Sequence, residues 1–317
     1  MQGSDATQII VLEACQDITD LYIPNTVLCI GGYVNPLSFY RNFVSKNLPV
    51  KIADAVSHWG AIDKWTDEYL EETIGDNEVT VSITPNGLAD AVVDNKFLLP
   101  YERKIKLRDV LCELQNPDPS RVLYLQRQNS SLTEEFSSLM GDIDGELEWA
   151  SAAFGTSIDA INFWLGDGRA ISSLHKDPYE NVYCVIRGSK TFTLYPPTDR
   201  PLLQYKMYDV WRYTENGGIQ PEPDCPRTPW IDIDPRDPLT SNIPGTHPLV
   251  VTVRAGETLY LPSYWFHHVR QEHGTIAVNY WYDIDYGPAF GLFNLLDKLS
   301  IARERDHEDS DDDNDED

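Results

Sequence analysis

Residues 172–197, SSLHKDPYENVYCVIRGSKTFTLYPP, decide the fold class. Two runs within them, NVYCVIRG and KTFTLYPP, carry the apolar pattern of buried strands, and a glycine turn separates the runs. His175 and Asp177 lie two positions apart, so in an extended chain both side chains project to one face while Lys176 points to the other. The stretch therefore predicts two donor side chains on one wall of a β-structure.

Further strand patterns flank this stretch on both sides. Short apolar or alternating runs are EVTVSITP, RVLYLQRQ, AINFWLG, LVVTVRAGETLYLP and TIAVNYWYD, with Pro, Gly, Asn and Asp between them. Many short strands at such spacing are typical of a β-sandwich or barrel. We expect a mainly β fold with surrounding helices.

The chain divides into three parts by composition. Residues 1–75 mix helical periodicity with one short strand candidate, PVKIADA, and predict a helical and mixed lead-in packed on the core. Residues 76–300 hold the strand runs, with a long proline-rich, aromatic insertion at about 205–244 where we expect substrate contacts. Residues 301–317 form an acidic tail that we expect to be disordered.

Charge and cysteine content restrict the function classes. The net charge is −26, which argues against nucleic-acid binding because phosphate contacts need clustered Lys and Arg, and favours a basic polypeptide partner. No apolar run is long enough for a membrane span, and no secretory leader is expected. The five cysteines are widely spaced without a CxxC pair, which indicates a reducing compartment, the cytoplasm or the nucleus.

A helix pattern follows the last strand run. FGLFNLLDKLSIAR, residues 290–303, has an apolar face wider than packing on the core requires. Either the helix packs entirely within its own chain, or part of the face forms a homodimer contact. The apolar residues are Phe290, Phe293 and Leu296 at helical spacing, widened by Leu292, Leu295 and Leu299.

A third donor completes a metal-binding pattern. His267 follows the strand pattern TLYLP and is flanked by Trp265 and Phe266. Two imidazoles and one carboxylate are the donors of the facial triad of non-heme Fe(II) oxygenases, which leaves three adjacent positions open. The pair His175 and Asp177 also occurs by chance, and the alternative is a surface histidine and aspartate without a metal.

Two polar residues fall on faces that are expected to be buried. Lys190 shares its face with Phe192, and a buried ammonium is costly without an anion. A ligand carboxylate is one candidate partner, and the alternative is a lysine that reaches water at the end of the strand. Asn279 shares its face with Trp281, and a buried amide needs a polar partner, so we expect it to face a ligand.

The motifs SLHKDPYENVYCVIRGSKTF, GETLYLPSYWFHHV and AVNYWYD, with the lead-in pattern SFYRNFV, PVKI, HW and KW, resemble the Jumonji-C oxygenases. Within that family they are similar to the small lysyl hydroxylases that act on developmentally regulated GTP-binding proteins. The similarity covers about residues 37–299 and joins the motifs in the family's order. It implies a double-stranded β-helix core, also described as jelly-roll or cupin-like, with helices packed around it.

The resemblance also implies roles for individual residues. His175, Asp177 and His267 match the Fe(II) ligands, and His268 is left as a neighbour on the opposite face. Lys190 matches the lysine that pairs with the distal carboxylate of the co-substrate 2-oxoglutarate. Further co-substrate contacts of the family match Tyr124, Ser172, Asn181, Tyr183 and Asn279.

The activity implied by the resemblance uses Fe(II), 2-oxoglutarate and dioxygen. It hydroxylates a carbon of a lysine residue in a GTP-binding protein and decarboxylates 2-oxoglutarate to succinate. The acidic surface suits a basic, lysine-bearing substrate segment. Two alternatives stay open: histone-lysine demethylation by the same chemistry, and a catalytically inert cupin-like binding protein. A proteolytic role ranks below these, because the sequence has no HExxH motif or nucleophile dyad.

Overall fold

The computed structural model describes residues 2–237 and 242–312, with side-chain surroundings for residues 6–237 and 242–301. Its helices are α1 (Gln2–Tyr22), α2 (Pro36–Asn42), α3 (Gly60–Lys64), α4 (Asp67–Ile74), α5 (Leu107–Gln115), α6 (Ser131–Glu134), α7 (Glu148–Phe154) and α8 (Pro288–Asp312).

The strands follow the predicted runs and add short ones between them. They are β1 (Leu28–Ile30), β2 (Val50–Ile52), β3 (Glu78–Thr84), β4 (Leu88–Ala89), β5 (Ala91–Val93), β6 (Lys96–Leu99), β7 (Tyr101–Lys106), β8 (Val122–Leu125), β9 (Ile158–Gly166), β10 (Ile171–His175), β11 (Glu180–Arg187), β12 (Ser189–Tyr195), β13 (Tyr205–Tyr208), β14 (Val210–Tyr213), β15 (Ile219–Pro221), β16 (Thr228–Ile231), β17 (Leu249–Arg254), β18 (Thr258–Leu261), β19 (Phe266–Gln271) and β20 (Thr275–Tyr282).

Two large sheets form the core. In the described part of the chain, one sheet has nine strands in the order β1-β2-β18-β11-β20-β9-β8-β3-β7, and the other has five in the order β17-β12-β19-β10-β4. One buried cluster joins Tyr124 and Trp164 of the nine-stranded sheet to Phe192 and Leu194 of the five-stranded sheet. The sheets therefore pack face to face, and the predicted jelly-roll core is confirmed.

Helices cover the outer face of the nine-stranded sheet. Leu70 of α4, Leu111 of α5 and Leu132 of α6 share a buried cluster with Val182 and Tyr280, which lie on adjacent strands of that sheet. This sheet is buried on both faces, which explains why β11 and β20 read as nearly continuous apolar runs rather than alternating ones.

The lead-in is part of the core rather than a separate layer. Strand β2 pairs antiparallel with β18, and β1 pairs parallel with β2, so both extend the nine-stranded sheet at one edge. Phe39 of α2 packs edge-on against Tyr260 of β18, with ring centroids 5.0 Å apart. The predicted strand PVKIADA corresponds to β2.

The insertion at 205–244 forms short strands instead of an irregular loop. Strands β13 and β16 pair with each other, and β14 pairs parallel with β6, which comes from the segment between β3 and β8. Residues 238–241 lie outside the described part. The insertion therefore stands beside strands β4 to β7 at one end of the jelly roll.

Helix α8 extends beyond the predicted limit. It runs to Asp312, into the stretch for which the charge pattern predicts disorder, while residues 313–317 of that prediction lie outside the described residues. Phe293 and Leu296 of α8 are buried and Phe290 is half-buried, whereas Leu292, Leu295 and Leu299 are 37%, 52% and 37% exposed. In the described ranges, none of the helices combines the length and the apolar character needed to span a bilayer.

Candidate functional site

Three donor side chains meet at the end of the five-stranded sheet. Strands β10 and β19 run antiparallel with His175 directly opposite His267, and the two ring centroids are 4.2 Å apart. Strand β10 ends at His175, so Asp177 lies in the following loop, where the backbone N–H of Tyr264 donates to its carbonyl at 3.0 Å. One donor atom from each of His175, Asp177 and His267 lies within 4.8 Å of the others.

Backbone carbonyls fix the orientation of both imidazoles. Nδ1 of His175 lies 2.7 Å from the carbonyl of Ser173, and Nδ1 of His267 lies 3.0 Å from the carbonyl of Trp265. A carbonyl can only accept, so each Nδ1 carries the proton and each Nε2 keeps a free lone pair. The Nε2 atoms lie 3.8 and 3.5 Å from Oδ2 of Asp177, so the three free donors converge on one point.

The donor set fits Fe(II). Burial lowers the pKa of His267 to about 4, with a further lowering from His175, so the His267 imidazole is neutral near pH 7. Two imidazoles and one carboxylate on one side of a cavity leave adjacent coordination positions open, which is the arrangement of a facial triad. Hydrogen bonds from the far ring nitrogens are the usual means of holding metal-binding histidines.

The triad opens into a cavity of about 860 Å³ between the two sheets. Its lining includes five of the six residues matched to co-substrate contacts: Tyr124, Ser172, Asn181, Tyr183 and Asn279. The sixth, Lys190, is 1% exposed and lies behind Tyr124, whose hydroxyl accepts a hydrogen bond from its Nζ at 2.7 Å. The predicted residues are thus brought together, with Lys190 behind the cavity wall rather than in it.

Lys190 is buried among aromatic rings. Its Nζ lies 5.1 Å from the ring centroid of Tyr124, 5.5 Å from that of Trp164 and 5.4 Å from that of Tyr183. Burial lowers the pKa of Lys190 to about 7. The ring faces compensate part of the lost hydration of the ammonium, and an anionic ligand would compensate more.

A chain of amides adjoins these rings. Trp164 Nε1 donates to Oδ1 of Asn279 at 2.7 Å, and Nδ2 of Asn279 donates to Oδ1 of Asn181 at 3.0 Å. These bonds fix which way both amides point, because each oxygen accepts and the Asn279 nitrogen donates. The expectation that Asn279 lies at a ligand cavity agrees with this position.

Gly166 permits the close packing of Tyr124. The two residues are paired across β8 and β9, and a Cβ at position 166 would lie 2.5 Å from Cδ2 of the tyrosine ring. Any side chain here pushes the ring that holds Lys190. No pattern in the sequence marks this glycine as part of the site.

The prediction for Lys176 was incomplete. It turns away from the triad, as expected, but its ammonium forms an ion pair with Asp297 of α8 and it lines the cavity. Asp297 also accepts from Nε of Arg200 at 2.8 Å. We call Lys176, Asp297 and Arg200 the α8 clamp, because they join the C-terminal helix to the loop that carries Asp177.

Asp90 is a cavity residue that sequence reasoning missed. Its Oδ2 accepts from Nε2 of Gln126 at 3.2 Å, and its backbone carbonyl accepts from Oγ of Ser173 at 2.5 Å. Burial raises the pKa of Asp90 to about 6, against a smaller opposite effect of His175. The side chain thus lies close to the triad.

The insertion reaches the same point through Trp230. Its Nε1 donates to Oγ of Ser173 at 3.1 Å, and its ring lies parallel to that of His175 with centroids 6.3 Å apart. The expectation that residues 205–244 contribute to the substrate region agrees with this contact.

Comparison with known proteins gives a consistent classification. Residues 36–287 match the family model of the cupin-like domain. The chain is 43% identical to the human bifunctional peptidase and (3S)-lysyl hydroxylase JMJD7, covering 89% of this chain and 92% of the human protein. It is 39% identical to JmjC domain-containing protein E of Dictyostelium discoideum, covering 89% and 91% of the two chains. It is 37% identical to lysine-specific demethylase JMJ32 of Arabidopsis thaliana, covering 90% and 89%. The protein therefore belongs to the Jumonji-C family of cupin-like proteins.

Proposed function

We propose that the protein is an Fe(II)- and 2-oxoglutarate-dependent lysyl hydroxylase that modifies a protein substrate. The observation that carries the proposal is the convergence of two oriented Nε2 atoms and one carboxylate at a cavity backed by a buried lysine. The human relative, which is named as a (3S)-lysyl hydroxylase, supports lysine as the target.

In this proposal His175, Asp177 and His267 hold Fe(II), and the family implies 2-oxoglutarate as co-substrate. When bound, the metal and co-substrate supply dioxygen activation, with oxidative decarboxylation to succinate and hydroxylation of a C–H bond. The chain's own contribution is positioning. The antiparallel pairing of β10 and β19 fixes two donors, and the Asp177 carbonyl, held by the Tyr264 N–H, fixes the third.

The co-substrate site proposed here uses the buried lysine as its cation. Lys190 and Tyr124 bind the distal carboxylate, and the amide chain of Asn279 and Asn181 offers oriented polar groups nearby. Ser172 and Tyr183 complete the walls. A charge-assisted hydrogen bond at a buried site is stronger than one in water, which favours binding of a dicarboxylate there.

Anaerobic addition of Fe(II) and 2-oxoglutarate tests the metal and co-substrate sites. A weak metal-to-ligand charge-transfer absorption band is expected for the wild type and not for Asp177→Ala, with both folds checked by circular dichroism. Absence of the band in the wild type, with tight metal binding elsewhere, would contradict the proposal.

The reaction type is tested by mass spectrometry of lysine-bearing proteins captured from cell extract. A gain of one oxygen atom on lysine is expected. Loss of a methylene group from a methylated lysine would instead indicate demethylation, which the name of the Arabidopsis relative keeps as the second candidate. If neither change is observed although the co-substrate binds, the result would favour a binding protein without catalytic activity.

The finer part of the proposal concerns partners. We propose a basic segment of a GTP-binding protein as substrate, supported by the resemblance of the motifs and by the net charge of −26. The exposed leucines of α8 support a homodimer through this helix. The cysteine pattern favours action in the cytoplasm or the nucleus.

A further inference from the structure

The binding of a lysine side chain would bring a positive charge into the cavity. The inference that follows rests on the proposed function. The side chain must bring its carbon atoms to the triad, which carries its ammonium group out of bulk water. A desolvated ammonium is costly, and a carboxylate compensates this cost best. A carboxylate of the cavity that has no other cation is therefore the expected partner.

Half of the acidic residues of the cavity already have partners. Four carboxylates line it, from Asp90, Glu102, Asp177 and Asp297. Asp177 faces the two histidines, and Asp297 is bound by both cations of the α8 clamp. Two candidates remain, Asp90 and Glu102, neither of which forms an ion pair with any residue in the described ranges.

The cationic residues of the lining form their ion pairs with other carboxylates, although Arg212 lies close enough to Asp90 and Glu102 to interact with their charges. Arg127 forms ion pairs with Glu134 and Glu135, outside the cavity lining. Arg212 makes a two-point contact with Glu222, at 2.7 and 3.1 Å. Among the described residues, the carboxylates of Asp90 and Glu102 therefore have no direct ion pair and can accept a further cation.

The surroundings of Asp90 hold it in one place. Its backbone is left-handed, with φ of 52°, a conformation that aspartate tolerates better than most residues. Gln126 binds its carboxylate, and Ser173, itself bound by Trp230, binds its carbonyl. Glu102, by contrast, is exposed and lies toward solvent.

We propose that Asp90 binds the ammonium group of the substrate lysine, and that Glu102 attracts the cation at the exposed edge of the cavity. A second feature of the same cavity also requires a ligand. Trp281 lines it and is 4% exposed, and its indole N–H has no acceptor within the described residues. A carbonyl of the bound peptide would satisfy this donor.

Peptide pairs test the proposal directly. The peptide that surrounds the lysine found to be modified in extract is synthesised without the modification. It is compared with the same peptide carrying norleucine in place of that lysine, which keeps the carbon chain and lacks the ammonium. Binding is measured under anaerobic conditions by fluorescence anisotropy, and turnover by mass spectrometry. The wild type should bind the lysine peptide about 10- to 100-fold more tightly, and Asp90→Asn should remove most of this preference.

Two further variants separate a binding role from a structural one. Asp90→Gly also removes the carboxylate and accepts the left-handed backbone, so it replaces the asparagine variant if that one does not fold. Asp94→Asn is the matched control: Asp94 has φ of 49°, lies in the adjacent turn, is exposed and does not line the cavity. The control should keep the preference of the wild type.

The outcomes are distinct. If the wild type modifies lysine but Asp90→Asn or Asp90→Gly keeps the full preference over norleucine, the role of Asp90 is wrong and the hydroxylase proposal stands. A wild type that binds both peptides equally also overturns the role of Asp90. A wild type that modifies no lysine overturns the proposed function, and the inference falls with it.

Discussion

Lys190 keeps an ammonium group in a buried position, and this has a measurable cost. Its pKa is lowered to about 7 by burial, whereas an unfolded lysine titrates at about 10.4. The unfolded chain therefore binds this proton more tightly. Between these two values the native state gains stability as pH rises, and below about pH 7 the full cost of burial is present.

We expect Lys190→Met to raise the melting temperature of the ligand-free protein at pH 7, by roughly 2 °C, because a buried charge is replaced by an apolar chain of similar length. The same variant should lose the stabilisation that 2-oxoglutarate gives the wild type. Differential scanning calorimetry with and without 2-oxoglutarate measures both effects.

Lys104→Met is the control for that experiment, because Lys104 is exposed on β7. It should change neither the pH dependence of stability nor the response to 2-oxoglutarate. Equal stabilisation of Lys190→Met and wild type by 2-oxoglutarate would show that Lys190 is not the carboxylate partner.

The burial of a single residue can be predicted from the sequence when it follows from the residue's position in a strand. Lys190 is predictable because the alternation of β12 places it with Phe192 on a buried face. Asp90 is not, because LADAVVDN reads as an ordinary turn. Its place near the triad depends on the parallel pairing of β4 with β10, between segments far apart in sequence.

Strand β9 controls the co-substrate region through Gly166. We expect Gly166→Ala to raise the KM for 2-oxoglutarate by about tenfold or more, because the new methyl group displaces the ring of Tyr124, whose hydroxyl accepts a hydrogen bond from Lys190. Overpacking of this kind costs about 1–3 kcal/mol of stability. Steady-state kinetics with each substrate varied in turn gives the change.

Gly141→Ala is the matched control, since nothing lies within 4 Å of a Cβ at that position. An unchanged KM for 2-oxoglutarate in Gly166→Ala would contradict the prediction, because it would mean that the position of the Tyr124 ring does not affect co-substrate binding.

Helix α8 is attached to the site through the α8 clamp. Asp297→Asn leaves Lys176 and Arg200 without their shared anion, so we expect the free energy of unfolding to fall by about 1–2 kcal/mol, discounted for partial exposure of the carboxylate. A double-mutant cycle with Lys176→Met, followed by chemical denaturation, measures the coupling. Additive effects of the two substitutions would show that the ion pair contributes nothing.

Element boundaries were predicted less well than element types. The alternating runs locate β8, β9, β11, β12, β17 and β20. Strand β19 was not predicted, because the run FHHV does not alternate and a histidine pair resembles a loop. Strand β10 ends at His175, so the alternation of side chains along a strand does not determine the position of Asp177. That position depends on the loop after β10, which is held by the hydrogen bond from the backbone N–H of Tyr264.

Helix α8 presents an apolar stripe at the surface of the molecule, formed by Leu292, Leu295 and Leu299. If the proposed homodimer uses this stripe, Leu295→Glu should halve the mass observed by light scattering without lowering the melting temperature of the monomer. Val250→Glu is the control, since Val250 is 63% exposed on β17. A wild type that is already monomeric would contradict the dimer.

Composition predicts a division of the chain into lead-in, core and insertion, but it does not predict the contacts between these parts. The lead-in supplies the edge strands β1 and β2, and the insertion supplies Trp230 against His175. Such contacts join segments distant in sequence, and a periodic pattern reports only local structure.

The two carbonyl contacts that orient His175 and His267 also bear on the proton balance of metal uptake. Metal binding usually releases protons, because ligands must first be deprotonated. At His267, with a pKa of about 4, the Nε2 lone pair is already free near neutral pH, so uptake at this nitrogen expels no proton. The contribution of His267 to the calorimetric heat of metal binding is then independent of the ionisation enthalpy of the buffer. Acidification weakens metal binding at this nitrogen only as the pH approaches 4.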